Sequence, residues 1–296
     1  MLFRDICTQD KNRYEKLLFN HNGKGVEFTF ANLILWGDRL IAFVDDHVVI
    51  FSNFEGRCYY SVLLGTGDTK MLFDDIFKDA ESRGLKPYFI GIYDREKTLL
   101  EQYYPDEFDF TASRGSYDYV YSIDDLADLS GKKYHAKRNH ISRFRKSCPD
   151  YSVVPITEEL LPQIAEMADR WYKKREEDAP DIDFETEKIA LARAVSNYFD
   201  LDMDGLALMC GERIIAFTMA SKMFPDTMDV HFEKADADIN GAYAAINYEF
   251  ARYLRAKYPN IKFLDREEDM GIEGLRKAKE SYYPHHLVEK FRAAKK

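Results

Sequence analysis

Three titratable residues alternate along one short apolar segment, "TMDVHFEKAD". Single apolar residues separate Asp229, His231 and Glu233, so a β-strand would place all three on one face. Neighbours at i and i+2 in a strand lie about 6.6 Å apart, close enough for a water or a substrate amine to bridge them. Carboxylates around a histidine can hold a proton acceptor near neutral pH. We expect these residues to be catalytic, with Glu233 or His231 as the base; the alternatives are an exposed strand face or a hydrogen-bonded core histidine.

A charged loop, "LDREEDMG", follows the next apolar segment. Its carboxylates could hold the ammonium group of a substrate, and Arg276 on the helix that follows could face the same cleft. The alternative is that the acids precede the helix "GIEGLRKAK" and stabilise its N-terminus through the helix dipole. The predicted substrate-binding residues are Asp265, Arg266, Glu267, Glu268 and Arg276.

A basic segment, "GKKYHAKRNHISRFRK", carries seven Lys or Arg residues and no Asp or Glu, although the whole chain has a formal net charge of −10. In a helix, Tyr134, Ile141 and Phe144 share one stripe and the basic residues flank it. The segment is either a solvated helix face or a contact for a local polyanion, such as a tRNA acceptor stem or nucleotide phosphates. The predicted anion-binding residues are Lys137, Arg138, His140, Arg143 and Arg145.

Composition limits the class of protein. With 46% hydrophobic residues and 15% aromatic residues in 296, the chain can build packed cores and is not disordered. No apolar stretch approaches the ~20 residues needed to span a bilayer. The four cysteines are isolated, which favours buried thiols in a reducing compartment over zinc sites or disulfides. We therefore expect a cytoplasmic protein without a membrane span or a metal site.

The order of predicted elements indicates two related domains, residues 1–130 and 131–296. The second half predicts two helices, then the strands "DGLALMCG", "ERIIAFTMASKMF" and "TMDVHFEKAD", then a helix, the strand "IKFLD", another helix, and a last strand, "HHLVEKFRA". This is the order of the GNAT acyltransferase fold, and the first half shows a looser version of it. We expect an α+β protein with two tandem GNAT-like domains, whose mixed, mostly antiparallel sheets are flanked by helices.

The segments "KKYHAKRNHISRFRK", "DVHFEKADADINGAYAAINYEFARYL" and "FLDREEDMGIEGLRKAKESYYP" resemble the cytosolic catalytic domain of phosphatidylglycerol lysyltransferases. They resemble even more closely a family of stand-alone bacterial proteins that share this domain. The resemblance implies tandem GNAT-like domains, similar to the Fem-type aminoacyltransferases. The lysyltransferases move an amino acid from aminoacyl-tRNA to a lipid headgroup. This sequence lacks their membrane-embedded half, which leaves the acceptor open.

One segment argues against the acyl-CoA chemistry of many GNAT proteins. Those enzymes bind the pyrophosphate with a glycine-rich loop at a helix start, whereas "ADADINGAYAAI" has Gly241 alone behind acidic residues. We expect an acyltransferase that moves an aminoacyl group from aminoacyl-tRNA to an amine or hydroxyl acceptor, a lipid headgroup or other small molecule. The alternatives are an acyl-CoA-dependent GNAT enzyme and a non-catalytic binding protein. No tightly bound cofactor is expected; aminoacyl-tRNA or acyl-CoA would be a co-substrate.

Overall fold

The computed structural model describes residues 1–20, 25–54, 56–178, 180 and 182–296. Its strands are β1 (Arg4–Asp5), β2 (Asp38–Val44), β3 (His47–Phe54), β4 (Arg57–Leu63), β5 (Tyr88–Ile92), β6 (Phe108–Ala112), β7 (Asp118–Ser122), β8 (Ser152–Pro155), β9 (Asp204–Cys210), β10 (Arg213–Phe224), β11 (Thr227–Ala235), β12 (Phe263–Asp265), β13 (His286–Val288) and β14 (Phe291–Lys295). Its α-helices are α1 (Lys11–Asn20), α2 (Phe30–Leu35), α3 (Thr69–Ser82), α4 (Asp94–Tyr103), α5 (Ile123–Asp128), α6 (His135–Ser147), α7 (Leu161–Asp178), α8 (Glu185–Ser196), α9 (Ala242–Lys257) and α10 (Glu273–Glu280).

The first unit comprises residues 1–118, 268–276 and 287–296. Its seven-stranded sheet has the order β1-β2-β3-β4-β5-β14-β6. The meander β2-β3-β4 is antiparallel, and β4 pairs in parallel with β5. Phe73 and Ile76 on α3 are fully buried against Phe89 of β5 in the same core cluster. The apolar face of α3 therefore covers this sheet.

The second unit comprises residues 119–267 and 277–286. Its seven-stranded sheet has the order β13-β7-β12-β11-β10-β9-β8. All neighbours whose register is described pair antiparallel except β11 and β12, which are parallel. Helices α7 and α9 both contact β10 and β11. Because helices cover it, β11 is buried on both faces along nearly its whole length.

The structure differs from the predicted division at residues 130 and 131. Residues 119–122 of β7 pair with β12 in the second sheet. The predicted last strand is in fact two strands, because β13 joins the second sheet and β14 pairs with β5 and β6 in the first. Each sheet thus receives one strand from beyond the predicted boundary. The two sheets nevertheless have equivalent strand orders when the first is followed from β1 and the second from β8. β14 in the first sheet then has the position that β7 has in the second.

Two further findings concern the chain as a whole. In the described ranges, no helix combines the length and the apolar character needed to cross a membrane. All four cysteines are free thiols, as predicted, but Cys7 and Cys210 are exposed rather than buried.

Candidate active site

β11 and β12, the central strands of the second unit, separate from each other at the predicted site. β12 pairs with β11 only along Thr227–Asp229, which faces Phe263–Asp265. β11 then continues to Ala235, while the chain of β12 turns away after Asp265. The backbone groups of β11 beyond Asp229, at His231 and Glu233, therefore have no β12 partner.

His231 lies in a β-bulge and is buried. Met219 of β10 pairs with Phe232 and Ala220 pairs with Val230, so His231 is the extra residue between two pairs. A bulge re-aims a side chain and is common beside active sites. The His231 ring is buried, with Nε2 2.8 Å from the Ser221 hydroxyl oxygen. The exposed-strand alternative is therefore wrong for this residue.

The Nδ1 atom of His231 faces two carboxylates. It lies 3.7 Å from Asp229 Oδ2 and 3.6 Å from Glu267 Oε1. Asp229 is fully buried, and Glu267 is partly exposed. Asp229 and His231 lie together as the alternation predicted, and the loop adds Glu267 to them.

The backbone of Glu267 is held in a left-handed conformation with φ of 57°, which a residue other than glycine adopts rarely. Its amide donates to Asp265 Oδ1 at 2.8 Å. Its carbonyl oxygen accepts from the Tyr119 amide at 3.2 Å and from Lys279 Nζ at 3.0 Å. Three hydrogen bonds thus hold this conformation, which directs the carboxylate of Glu267 towards His231. Asp265 acts here through the backbone and has a positioning role.

Glu233 is the counter-ion of Arg266. The guanidinium Nη2 lies 2.8 Å from Glu233 Oε1, and Asn247 of α9 donates to Oε2 at 3.2 Å. Both side chains are largely buried. Burial alone would lower the pKa of Arg266, but the charge of Glu233 and the nearby Tyr121 and Tyr282 phenols raise it. Because both oxygens of Glu233 are engaged, its predicted role as the free base does not fit this geometry.

Lys137 is brought to the same place by the first turn of α6. Its ammonium group lies 3.5 Å from the centre of the Tyr282 ring, and the Arg266 guanidinium lies 5.0 Å from the centre of that ring. Lys137 also donates to the Ser281 hydroxyl at 2.6 Å. Burial, and then the charge of Arg266, lower the pKa of Lys137 from 10.5 to about 8, although Glu233 opposes the shift. Two cations on one aromatic ring form the positive centre of the site.

The remaining predicted anion-binding residues of α6 divide into two groups. Arg138 donates to the carbonyl oxygens of Leu129 and Gly131, at 2.8 Å to the latter, so its guanidinium closes the turn before the helix. Arg145 lies 3.4 Å from Glu249. His140 and Arg143 are exposed. The apolar stripe of Tyr134, Ile141 and Phe144 is buried, as predicted.

Two predicted substrate-binding residues are engaged within the first unit. Arg276 forms a bidentate ion pair with the buried Asp269, at 2.8 and 3.0 Å. Glu268 lies 4.0 Å from Lys290, which also contacts Asp118 at 2.9 Å. Asp269 additionally accepts from the Gly271 amide, two residues before α10 begins. The prediction that Arg276 and Glu268 bind substrate is therefore not supported by their contacts.

Helix α6 packs closely over the start of α9. Gly241 precedes α9 with φ of 87°, and a Cβ atom at this position would lie 2.2 Å from the carbonyl oxygen of His140. Glycine is required there both by the backbone conformation and by the contact. The α9 N-terminus, where an acyl-CoA pyrophosphate would bind in other GNAT proteins, is therefore next to the backbone of α6.

Sequence reasoning did not identify several contributors to the site. Ser221 lies opposite Asp229 on the adjacent strand, Asn247 comes from α9 and Tyr282 follows α10. Each lies on a different element from the residue it contacts, and none belongs to a charged cluster. The Tyr-Tyr pair before Pro284 was a local signal for such a contact, since cations pack on the faces of aromatic rings.

Comparison with known proteins places these features in a family. The family model "Phosphatidylglycerol lysyltransferase, C-terminal" matches residues 20–294. An uncharacterised protein of Mycoplasmoides gallisepticum is 26% identical over 178 residues, which are 60% of this chain and 55% of that protein. The match thus spans about half of the length of this curated relative.

Solved structures are similar along nearly the whole chain. A conserved protein of unknown function from Bacteroides thetaiotaomicron is 36% identical, with a TM-score of 0.92 and 99% of each chain covered. The C-terminal domain (DUF2156) of a protein described as a lysylphosphatidylglycerol synthetase from Agrobacterium fabrum is 12% identical, with a TM-score of 0.68 over 98% of this chain and 92% of that chain. FemX is also 12% identical, with a TM-score of 0.64 over 99% and 97%. With the two sheet orders, these similarities confirm the predicted tandem GNAT-like α+β fold.

Proposed function

Because the chain belongs to the phosphatidylglycerol lysyltransferase C-terminal family, we propose that it transfers an aminoacyl group from aminoacyl-tRNA to an amine or hydroxyl acceptor. Family and fold support an acyltransferase of the aminoacyltransferase or GNAT-like type. The observation that carries the finer proposal is the pair of cations, Lys137 and Arg266, on the Tyr282 ring, near the point where the pairing of β11 with β12 ends. The acceptor is a lipid headgroup or another small molecule.

In the proposed reaction the acceptor attacks the carbonyl carbon of the aminoacyl ester. A new bond forms between the acceptor nitrogen or oxygen and this carbon, and the ester bond to the terminal ribose of the tRNA breaks. Lys137, after it has lost its proton to solvent, takes the proton of the acceptor and returns it to the departing ribose oxygen. A lysine whose pKa is near 8 is well suited to this exchange near neutral pH.

Arg266 stabilises the negative charge that develops on the carbonyl oxygen. A buried guanidinium is always charged and is worth more in a dry site than in water. Glu233 keeps Arg266 oriented through its 2.8 Å ion pair. We therefore assign Glu233 a positioning role, in place of the general-base role predicted from the sequence.

Exposed charges on the basic segment support tRNA as the donor. Among the residues that the structure describes, the side chains of Lys132, Arg143 and Lys146 form no hydrogen bond or ion pair, and all three are exposed. Exposed cations that do not serve internal contacts can neutralise phosphates. The close packing of His140 on Gly241 and the acids before α9 disfavour an acyl-CoA donor.

A transfer assay tests the proposal. The full chain is incubated with tRNA charged with a mixture of labelled amino acids and, separately, with labelled acetyl-CoA; phosphatidylglycerol vesicles and small amines serve as acceptors. We expect label to move from tRNA and not from acetyl-CoA, and Lys137→Gln to lower the rate about 10²–10⁴-fold. Lys146→Gln, on the same helix but exposed, is the matched control for the catalytic step at saturating tRNA. Transfer from acetyl-CoA alone, or tRNA binding without transfer to any acceptor, would refute the proposal.

The salt dependence of tRNA binding tests the donor separately. Each of Arg143→Gln and Lys146→Gln should weaken binding and reduce the slope of log K against log salt by about 1. Arg138→Gln should leave the slope unchanged, because that guanidinium binds backbone carbonyls. An unchanged slope in the first two variants would exclude this surface as the tRNA contact.

A further inference from the structure

The carboxylates of Asp229 and Glu267 and the Nδ1 atom of His231 converge at one point of the second unit. One ligand atom from each residue lies within 4.8 Å of the other two. We propose that these three residues bind a divalent first-row transition metal, with Zn²⁺ as the best-fitting ion. No metal site was predicted from the sequence, because its four cysteines are isolated. The proposal does not depend on the aminoacyl transfer proposed above.

The first argument is the hydrogen bonding of the two ring nitrogens of His231. His231 is 6% exposed, and its Nδ1 atom has no hydrogen-bond partner among the described residues. Its other nitrogen, Nε2, lies 2.8 Å from the Ser221 hydroxyl. When Nε2–H donates to Ser221, the lone pair is on Nδ1 and points to the carboxylates. Metal-binding histidines are oriented in this way by a second hydrogen bond.

The second argument is the spacing of the ligand atoms. The 3.6 and 3.7 Å separations from Nδ1 to the two carboxylates are too long for hydrogen bonds. Two ligands at about 2.0–2.1 Å from a tetrahedral Zn²⁺ are about 3.3–3.5 Å apart. A substrate ammonium that donated tetrahedrally at about 2.8 Å would instead separate its acceptors by about 4.6 Å. The observed separations are therefore closer to those of a metal site.

The third argument is charge and ligand type. A dication balances two carboxylates, one of which, Asp229, is fully buried, and buried charges are stabilised by pairing or by metal coordination. One imidazole with two carboxylates suits Zn²⁺ or its first-row neighbours. Three protein ligands leave a further coordination position for water or a substrate oxygen. The rigid backbone of Glu267, with its three hydrogen bonds, holds one ligand in place.

Metal binding by the full chain tests the proposal. Protein stripped with a chelator is dialysed against Zn²⁺ and, separately, Co²⁺, and the bound metal is measured by mass spectrometry and by the visible absorption of Co²⁺. His285 and His286, whose Nδ1 atoms lie 2.9 Å apart, are changed to Asn in every sample, because this exposed pair could bind metal by itself. We expect one tightly bound ion per chain.

Variants assign the ion to the site. His231→Asn should lose stoichiometric binding, and Ser221→Ala should weaken it about 10–100-fold. His140→Asn, an exposed histidine elsewhere in the unit, should bind as the parent does. Urea unfolding of each variant identifies any that does not fold, and Glu267→Gln at the partly exposed ligand then replaces His231→Asn. Binding that persists in His231→Asn or Glu267→Gln, weak adventitious binding only, or binding of ethylammonium in place of Zn²⁺ would overturn the proposal.

Discussion

Replacing Lys137 with methionine should stabilise the folded protein at pH 7 and lose most of that effect by pH 10. The folded state holds the pKa of Lys137 at about 8, below the ordinary 10.5, mainly because the side chain is partly buried. Between these values the unfolded chain binds more protons than the folded one, so stability rises with pH. Below pH 8 the folded protein carries nearly the full free-energy cost of keeping this lysine charged.

The size of the effect follows from the shift. A difference of 2.5 pKa units corresponds to about 3.4 kcal/mol at pH 7. Solvent screens a partly exposed group, so we expect about 1.5–2 kcal/mol. By pH 10 about a quarter of this cost remains. Methionine keeps the contact with Tyr282 but has no charge to desolvate.

Urea unfolding of both proteins from pH 6.5 to 10 measures the difference. Lys146→Met is the control, because this exposed lysine on the same helix should give a stability difference that does not change with pH. Glu233→Gln should lower the pKa of Lys137 further, since Glu233 raises it. A Lys137→Met variant whose stability relative to the parent is constant over this range would show that Lys137 titrates as an ordinary lysine. The assignment of Lys137 as the base would then fail.

Two further predictions concern packing around α6. Gly241→Ala should destabilise the protein by about 3 kcal/mol, because alanine strains the left-handed backbone and its Cβ overlaps the His140 carbonyl. Gly211 also has a positive φ but has open space around it, so Gly211→Ala should cost about 1 kcal/mol. Urea unfolding measures both. Equal losses would refute the close contact. Arg138→Gln should lower the free energy of unfolding by about 1 kcal/mol, because its contacts with the backbone carbonyls are lost. The exposed Arg143→Gln should change this free energy by less than about 0.5 kcal/mol. A larger loss in Arg143→Gln than in Arg138→Gln would contradict the turn-closing role of Arg138.

The fold could be predicted where local pattern and final position agree. The helix α3 and the meander that precedes it follow directly from apolar periodicity and turn residues. β7 was missed because "SYDYVYS" lies among Asp, Gly and Ser residues, which usually indicate a loop. β7 is buried because it pairs with β12. The paired residues are more than 140 positions apart in the sequence, so no local pattern indicates the pairing. The split of "HHLVEKFRA" between two sheets was invisible for the same reason.

The site could be predicted only in part, because its chemistry depends on contacts between distant segments. Strand alternation correctly placed Asp229 and His231 together. The pairing of Glu233 with Arg266 could not be read from the sequence, because it requires the direction in which the chain leaves β12. The lowered pKa of Lys137 likewise depends on burial and on the charge of Arg266, and the sequence showed only a basic helix.

The placement of β14 between β5 and β6 has a consequence for biosynthesis. The N-terminus of a nascent chain leaves the ribosome first, yet the first sheet needs Phe291–Lys295 to complete its hydrogen bonding. Until these residues emerge, the facing edges of β5 and β6 carry unpaired amide and carbonyl groups that can join strands of other chains. The first unit therefore cannot finish folding before the second unit has been synthesised, unlike domains that fold in order from the N-terminus. We expect nascent chains to depend on chaperones until Phe291–Lys295 have left the ribosome.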